Sequence, residues 1–257
     1  MSRASNTAAA ILAAGLGKRM GSDLPKALVD LGGRPILSHV LDSVSAAGVD
    51  KIVVVIGHHG ERVRQVAGNG VHYAVQECQR GTADALACAR EPLRDFSGYL
   101  LTLYCDVPFV PPELLRRLVR ECAEHDAAAA MVTVELEEPG AYGRIVRDGE
   151  GKVRGIKEAA GATPEELAIR EINAGVYCFR APLIFDITAE IQPDPVKGEL
   201  YLTDAIGLLA RKGYTVAVVK VDNPAVVMGV NTPEELERAE AALRRMSGER
   251  RHGDEQL

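Results

Sequence analysis

Short apolar runs alternate with longer amphipathic segments along most of the chain. Runs rich in β-branched and other apolar residues, bounded by polar or glycine-containing turns, indicate strands that are buried on both faces. Such strands occur mainly where helices cover both faces of a parallel sheet, so the pattern predicts an α/β protein. The strands are predicted at 8–14, 51–56, 71–75, 99–104, 128–135, 172–179 and 214–221.

The segments between these strands repeat apolar residues at helical spacing. The last of them has a clear start, because Thr232 suits the N-cap and Pro233 the first helical position. Regular alternation of strands and helices predicts a Rossmann-like, mainly parallel sheet flanked by helices. The helices are predicted at 35–48, 60–68, 81–91, 111–124, 181–190, 199–212 and 232–246.

The region 139–171 departs from this alternation. It contains two short apolar stretches around Asp148-Gly149-Glu150-Gly151, which is typical of a β-hairpin. We expect this hairpin to form a small lobe at the sheet edge. The segment 247–257 is polar and charged, and we expect it to be a disordered tail.

Composition narrows the class of protein. The chain has 257 residues and a formal net charge of −6, which argues against a nucleic-acid partner because such proteins usually carry a basic face. No apolar stretch approaches the roughly 20 residues of a membrane span, and the first apolar run continues into a glycine turn rather than resembling a signal peptide. Five cysteines without a C-x-x-C pair favour a reduced, cytoplasmic chain.

A glycine turn with cations follows the first predicted strand, in the stretch ILAAGLGKRMGSDLPKAL at 11–28. Ligands of open parallel sheets bind outside the carboxyl ends of the strands. Gly15, Gly17 and Gly21 allow close backbone approach, and successive N–H groups can cradle phosphate oxygens. Arg19 and Lys26 would add charge-assisted contacts, so the turn predicts a polyphosphate site.

Two common phosphate motifs do not fit this turn. Its spacing is G-x-G-x-x-x-G, which is not the dinucleotide fingerprint. It is not a P-loop either, because Pro25 precedes Lys26 and Ala27 follows it. On spacing alone, a tight strand–helix turn with solvated cations stays an alternative.

The full string L-A-A-G-x-G-x-R-M-x-S-x-x-P-K is much more specific than its glycines. It resembles the signature of the sugar nucleotidyltransferases, and within them the bacterial uridylyltransferase domains that act on N-acetylglucosamine 1-phosphate. Further motifs follow in that family's order over about 12–235: AVQECQRGTADA, LYCDVPF, YGR, EINAG, GELYLTD and GVNTPEEL. The resemblance implies a nucleotide-diphospho-sugar transferase fold in which the hairpin belongs to a sugar-binding lobe.

The resemblance also implies a domain organisation and a reaction. The domain would span 1–246, with a nucleotide-binding part at about 8–110 and a sugar-binding part at about 111–231. The reaction would be UTP + N-acetylglucosamine 1-phosphate → UDP-N-acetylglucosamine + pyrophosphate, by in-line attack on the α-phosphate. Such chemistry depends on positioning and electrostatics and needs no covalent enzyme intermediate.

Site residues are carried over by the resemblance, motif by motif. Arg19 and Lys26 would be catalytic and would neutralise the phosphates, and Asp106 and Asn231 would hold the cofactor Mg²⁺. The residues implied to bind the nucleotide are Leu12, Ala13, Ala14, Gly15, Gln76, Gly81 and Thr82. Those implied to bind the sugar are Tyr104, Gly143, Glu158, Asn173 and Asn231.

The chain departs from the family pattern at four residues in three motifs. Ala83-Asp84 stands where Gly-His is common, Cys105 where a glycine precedes the metal aspartate, and Ala174 where threonine is common. The change at Ala174 leaves the sugar preference open. Absence of hexapeptide repeats implies that the acetyltransferase half of the bifunctional enzymes, with its activity and trimer, is missing.

Several alternatives stay open at this stage. Another sugar 1-phosphate such as glucose 1-phosphate, dTTP or CTP as donor, or a non-catalytic nucleotide-sugar binding module would fit the same motifs. Each residue alone also has a plainer interpretation: an aspartate after a strand is often a turn residue, and a lysine is usually solvated. The partners implied are small molecules, and the sequence does not decide between a monomer and a homo-oligomer.

Overall fold

The computed structural model describes residues 6–15, 17, 24–57, 60–195 and 197–254, with side chains described to 246 in the last helix. The strands are β1 (Thr7–Leu12), β2 (Asp30–Leu31), β3 (Arg34–Pro35), β4 (Lys51–Ile56), β5 (His72–Val75), β6 (Gly98–Tyr104), β7 (Ala129–Glu135), β8 (Arg144–Arg147), β9 (Val153–Lys157), β10 (Glu171–Ala181) and β11 (Val216–Val221). The helices are α1 (Ile36–Ala46), α2 (Gly60–Ala67), α3 (Thr82–Cys88), α4 (Pro112–Glu124), α5 (Pro164–Leu167), α6 (Leu183–Thr188), α7 (Thr203–Arg211) and α8 (Pro233–Asp254). Among the described helices, none combines the length and apolar character that a membrane span requires.

One large sheet organises the described part of the chain. Its main path runs β11-β7-β10-β6-β1-β4-β5. β1 pairs in parallel with β4 and β6, β4 in parallel with β5, and β11 in parallel with β7. Within this path β10 runs antiparallel to both β6 and β7. The predicted mainly parallel, mixed α/β sheet is confirmed.

Both faces of the sheet are buried, which explains the continuous apolar runs. Successive residues of β1 point to opposite faces. Ala8 and Ala10 join the core beneath α3, α6 and α7, while Ala9 and Ile11 join the core beneath α1, α2 and α4. All four are fully buried. The small side chains of this central strand allow helices to pack closely on either side.

The predicted hairpin lobe is present at 144–157. β8 and β9 pair antiparallel, and Arg144 of β8 pairs with Ile172 of β10. The Asp148 carboxylate caps the turn by accepting from the backbone N–H groups of Glu150 at 3.0 Å and Lys152 at 2.9 Å. The lobe therefore extends the sheet at the start of β10.

Helix α8 packs on a third, smaller core that includes Val29, Phe109, Val230 and Ala239. The Val230 N–H donates to the Asp106 carbonyl at 2.9 Å, which ties the approach to α8 to the loop after β6. The helix runs to Asp254, past the predicted end at 246 and into the segment predicted to be a disordered tail. That segment contains Glu and Arg, which are good helix formers, and residues 255–257 lie outside the described range.

The predicted helix 199–212 was wrong at its start, since α7 begins at Thr203. The four residues before it are held by the loop ahead of α3 instead. Leu200 N–H donates to the Arg80 carbonyl at 2.7 Å, and its own carbonyl accepts from Ala83 N–H at 2.9 Å. These contacts with a distant segment replace helical hydrogen bonds, which a local pattern does not reveal.

Candidate active site

A cavity of about 1010 Å³ opens at the edge where the parallel strands end. Leu12 and Tyr104, the last residues of β1 and β6, lie in its wall beside Gln76, which follows β5. This is the edge at which open α/β sheets bind ligands. The sequence-predicted residues that line the cavity are Leu12, Ala14, Gly15, Lys26, Gln76, Gly81, Thr82, Tyr104, Asp106, Gly143, Glu158, Asn173 and Asn231.

Two predicted residues are not among those lining the cavity. The side chain of Ala13 packs into the core beneath α1, and its N–H donates to the Val55 carbonyl at 2.8 Å. Ala13 therefore supports the glycine turn from below. Arg19, together with Gly21 of the same turn, lies outside the described residues.

The glycine turn is closed by its own backbone. The Lys26 N–H donates to the Gly15 carbonyl at 3.2 Å. Gly17 has φ +64°, and a Cβ built there would lie 3.2 Å from both the Leu24 carbonyl oxygen and the Lys26 nitrogen. A side chain would be strained at this position. Gly17 therefore allows the chain to fold back and place Lys26 beside the end of β1.

Lys26 is the cation at which two distant segments converge. Its Nζ donates to the Asp106 carboxylate and, at 2.6 Å, to Asn231 Oδ1. The Lys26 and Asp106 side chains are 14% and 17% exposed, so the pair is largely removed from solvent. The structure thus brings together the two residues predicted to hold a metal, on either side of a positive charge.

The donor set fits magnesium. Asp106 and Asn231 offer a carboxylate and an amide oxygen, and Mg²⁺ binds few protein oxygens while it keeps phosphate and water ligands. Among the described residues, no group of three or more His, Cys, Asp or Glu could hold a metal ion by itself. Burial raises the pKa of the neighbouring Cys105 thiol to about 12, so this thiol stays protonated at neutral pH. The arrangement suits a hard cation whose shell is completed by the substrates.

The loop between β5 and α3 builds a second wall. Gln76 is 4% exposed, and its Nε2 donates to the Gly81 carbonyl at 3.0 Å and to the Asp84 carboxylate at 2.8 Å. Gly81 has φ +121°, and a Cβ there would lie 2.4 Å from the Leu200 carbonyl oxygen. Thr82 Oγ1 accepts from Leu202 N–H at 2.9 Å. The loop is therefore fixed by the segment ahead of α7.

A bulge in β10 shapes the opposite wall. The pairing of β10 with β7 shifts between Asn173 and Tyr177. Asn173 Oδ1 accepts from Gly175 N–H at 3.1 Å, and its Nδ2 donates to Tyr177 Oη at 2.6 Å. Gly175 has φ +71°, and a Cβ there would lie 2.7 Å from the Tyr104 ring. Burial raises the pKa of both tyrosine hydroxyls, which therefore stay protonated hydrogen-bond donors.

Glu158 places a carboxylate between the hairpin lobe and α7. Its Oε1 accepts from Thr203 Oγ1 at 2.8 Å. Burial raises the pKa of this carboxyl, the Thr203 hydrogen bond opposes that rise, and the nearby Asp204 carboxylate adds to it. The group can accept hydrogen bonds from hydroxyl or amide donors in the cavity.

Sequence reasoning assigned no role to several residues that line the cavity. Gln79 Nε2 donates to the Ala14 carbonyl and braces the glycine turn. Glu235 Oε2 accepts from Asn231 N–H at 2.6 Å, and the T-x-x-E pattern at the start of α8 is the signal that could have found it. Other polar lining residues without an assigned role include Glu138, Tyr142, Glu199, Thr203 and Arg238.

Comparisons with known proteins identify chains that are similar to this one. The bifunctional protein GlmU of Pelotomaculum thermopropionicum is 44% identical over 238 residues, which cover 93% of this chain and 52% of that protein. The GlmU proteins of Mycolicibacterium gilvum and Solibacter usitatus are 42% and 41% identical over 94% and 91% of this chain. The chain spans about half the length of these curated relatives.

A solved structure shares the fold. It is a Bacillus anthracis protein assigned as a glucose-1-phosphate thymidylyltransferase, in complex with a sucrose, with a TM-score of 0.76 at 22% identity. The match covers 93% of this chain and 95% of that one. The family model of the MobA-like NTP transferase domain matches residues 9–163, which is more than half of the chain. The chain therefore belongs to the MobA-like NTP transferase domain family and is a nucleotidyltransferase.

Proposed function

We propose that this nucleotidyltransferase transfers the uridylyl group of UTP to N-acetylglucosamine 1-phosphate, with Mg²⁺ as cofactor. The observation that carries the proposal is the convergence of Lys26, Asp106 and Asn231 in a cavity lined by both the nucleotide-binding and the sugar-binding motifs. The motif order along 12–235 supports UTP and the amino sugar as substrates. Similarity to GlmU over half of that protein's length agrees with a role in making a nucleotide sugar.

The proposed reaction joins two polyanions. A phosphate oxygen of the sugar 1-phosphate attacks the α-phosphorus of UTP, and the bond to the bridging oxygen breaks so that pyrophosphate leaves. Lys26 holds a positive charge at the site of this transfer, and the backbone at Gly15 and at Gly17, which both line the cavity, would face the phosphates. Arg19 stays the predicted second cation of the turn.

Asp106 and Asn231 would hold the magnesium ion. When bound, that ion supplies charge neutralisation on the phosphate oxygens. Asn231 is positioned by the Glu235 carboxylate on its backbone N–H, and Asp106 by the Val230 N–H on its carbonyl. These contacts hold the backbone of both residues, Asn231 just before α8 and Asp106 just after β6, so the chain places the two oxygens before substrates arrive.

The two walls of the cavity bind different parts of the substrates. Gln76, Gly81 and Thr82 bind the nucleoside on one side. On the other side, Tyr104, Gly143, Glu158 and Asn173 contact the amino sugar, as the motifs predict. Both substrates are small molecules, and we place the enzyme in the cytoplasm.

A second acceptor is favoured by one observation. Ala174 lines the cavity where the motif commonly has threonine, which alters the wall facing the sugar. The structural neighbour is assigned as acting on glucose 1-phosphate with thymidylyl transfer. Glucose 1-phosphate, with UTP or dTTP, is therefore the acceptor to compare with N-acetylglucosamine 1-phosphate.

A direct test compares two aspartate variants for product formation. Wild-type protein with UTP, N-acetylglucosamine 1-phosphate and Mg²⁺ should give UDP-N-acetylglucosamine, measured by mass spectrometry. Asp106→Asn should lower this rate by about 100-fold or more, because it removes the carboxylate beside the transferring phosphate. The matched control Asp95→Asn changes a surface carboxylate that is 92% exposed, and its rate should equal the wild-type rate. Wild-type turnover by a folded Asp106→Asn variant would refute the metal assignment.

A further inference from the structure

A buried carboxylate lies directly behind the Gln76 amide and has no part in the proposed uridylyl transfer. Asp84, in the first turn of α3, is 9% exposed. Its Oδ2 accepts from Gln76 Nε2 at 2.8 Å, and its Oδ1 accepts from Arg80 Nη2 at 2.7 Å. Asp84 is also one of the positions at which the chain departs from the family motif.

The partners of Gln76 determine which way its amide points. A glutamine amide carries two N–H donors on nitrogen and only acceptor lone pairs on oxygen. Both neighbours, the Gly81 carbonyl at 3.0 Å and the Asp84 carboxylate, can only accept. A flipped amide would place its oxygen against two acceptors and would lose both hydrogen bonds. The nitrogen must therefore face the protein.

The amide oxygen is what Gln76 has left to offer a ligand. Among the described residues, none donates a hydrogen bond to Gln76 Oε1, although Gln76 lines the cavity. Gly81 lines the cavity five residues further along the chain, and its N–H likewise donates to no described residue. The wall thus presents one fixed acceptor beside one backbone donor.

This pair of hydrogen-bonding groups, one acceptor and one donor, suits one class of pyrimidine base. Uracil and thymine carry an N–H at ring position 3 flanked by carbonyl oxygens, whereas cytosine has a lone pair at that nitrogen. We propose that Asp84 is a positioning residue that locks the Gln76 carbonyl toward the base and thereby selects an imide-type pyrimidine over cytosine. The inference rests on the proposed function in that it takes this wall as the nucleobase subsite.

The proposal differs from a purely structural role for Asp84. A carboxylate that only stabilises α3 would, when changed, weaken binding of every nucleotide equally. A positioning carboxylate changes the ratio of affinities, since only the amide orientation distinguishes the two bases. The UTP-to-CTP affinity ratio is therefore the measurement that separates the two roles.

The test measures binding of UTP and CTP by isothermal titration calorimetry for the wild type and for Asp84→Asn. The asparagine is isosteric and can turn an N–H toward Gln76, so the amide is no longer forced into one orientation. We expect the UTP-to-CTP affinity ratio to fall by about 10-fold or more, the range for a hydrogen bond to a charged group. Asp84→Ser, whose hydroxyl both donates and accepts, serves as a second variant should Asp84→Asn fail to fold.

Two further variants sharpen the result. Arg80→Gln removes the other partner of the Asp84 carboxylate. Because the Arg80 side chain is 69% exposed, this change should leave the UTP-to-CTP affinity ratio within about twofold of wild type. Gln76→Leu should abolish the preference by itself, and adding Asp84→Asn to it should produce no further change in the ratio. An additional drop in the double variant would mean that Asp84 acts without Gln76 and would overturn the proposal.

The outcomes separate this inference from the proposed function. Wild-type protein that binds UTP no better than CTP, or an Asp84→Asn variant with an unchanged ratio, would overturn the inference. Binding that follows the prediction without turnover of UTP and N-acetylglucosamine 1-phosphate would refute the proposed reaction and leave the role of Asp84 intact. Because calorimetry needs no acceptor sugar, the two failures cannot be confused.

Discussion

At the scale of single residues, the site depends on one ammonium group placed between a carboxylate and an amide oxygen. Lys26 reaches Asp106 across 80 positions of sequence and Asn231 across 205. A largely buried cation with two oxygen partners is held in one place, which is the condition for electrostatic stabilisation of a transferring phosphate. The chemistry therefore depends on a few fixed charges.

Replacing Lys26 tests this arrangement. Lys26→Ala should lower kcat/KM for pyrophosphate release by a factor of about 100 to 1000, the usual loss when one preorganised charge donor is removed. Lys152→Ala, in the exposed turn of the hairpin, is the matched control and should keep wild-type kinetics. Equal kcat/KM values for the two variants would show that Lys26 does not contact the reacting phosphates.

Glu158 gives a prediction about pH. Burial, the main cause, raises the pKa of its carboxyl above the ordinary 4.5, so the folded chain holds the proton more tightly than the unfolded chain does. The stabilisation from this proton is complete below pH 4.5 and is lost as pH rises through the raised pKa. Glu158→Gln should therefore have a higher Tm than wild type at pH 8, and the difference should vanish below pH 4.5.

The exposed Glu150 supplies the control for that experiment. Glu150→Gln should leave Tm close to the wild-type value at both pH values, because the side chain lies in the solvated hairpin turn. A Glu158→Gln variant that is less stable than wild type by the same amount at pH 4 and pH 8 would contradict the predicted cause.

The sequence revealed some site residues and missed others for a physical reason. Lys26, Asp106 and Asn231 lie in recognisable motifs. Lys26 and Asp106 follow β1 and β6, neighbouring parallel strands that end at one sheet edge. The Val230 N–H bond to the Asp106 carbonyl brings the adjacent Asn231 to them. The contacts of Gln76 with Asp84 and of Asn231 with Glu235 depend on the direction of side chains where a loop meets the first turn of a helix. Spacing alone does not specify such directions.

At the scale of elements, the loop before α3 and the segment before α7 form one unit. Leu200 exchanges two backbone hydrogen bonds with this loop, and Leu202 N–H donates to Thr82 Oγ1. Gly81 ends this loop and Thr82 begins α3, and both line the cavity on the side proposed to bind the nucleotide. The segment before α7 carries Tyr201, which lines the same cavity. A substitution that shifts the backbone of either segment should therefore also shift residues that line the cavity.

Gly81 is the position where this close approach is most demanding. Gly81→Ala combines an unfavourable φ of +121° with a Cβ 2.4 Å from a backbone oxygen, and should destabilise the fold by about 2 kcal/mol or more. Gly149→Ala has open space and is the matched control, with a change within about 0.5 kcal/mol. Urea unfolding measures both, and equal stabilities would show that the loop can move away from Leu200.

Predicted and observed elements agree where local sequence decides the structure, and they differ where contacts with distant segments decide it. Buried strands were predicted well, because burial on both faces leaves continuous apolar runs such as KIVVVI in β4. The segment 199–202 was predicted as helix, and its hydrogen bonds to Arg80 and Ala83 override that preference. The short helix α5 was also missed, since four residues carry little periodicity.

At the scale of the whole molecule, the sheet and the hairpin lobe enclose the cavity from two sides. The ends of β1 and β5 border the wall proposed to bind the nucleotide, and the ends of β6 and β10, together with the lobe, border the wall proposed to bind the sugar. The division into a nucleotide-binding part at 8–110 and a sugar-binding part at 111–231 stays a prediction. This division is physically reasonable because one central sheet carries both walls of the cavity. A single fold could therefore hold the nucleotide and the sugar 1-phosphate in line.

Pyrophosphate release with Mg²⁺ across a grid of substrates tests the proposed uridylyl transfer. The donors are UTP, dTTP, CTP and ATP, and the acceptors are the 1-phosphates of N-acetylglucosamine, glucosamine, glucose and N-acetylgalactosamine. We predict a clear maximum of kcat/KM for UTP with N-acetylglucosamine 1-phosphate, and loss of release when the metal is chelated. A maximum at glucose 1-phosphate would contradict the assigned sugar, and no release with any pair would contradict uridylyl transfer itself.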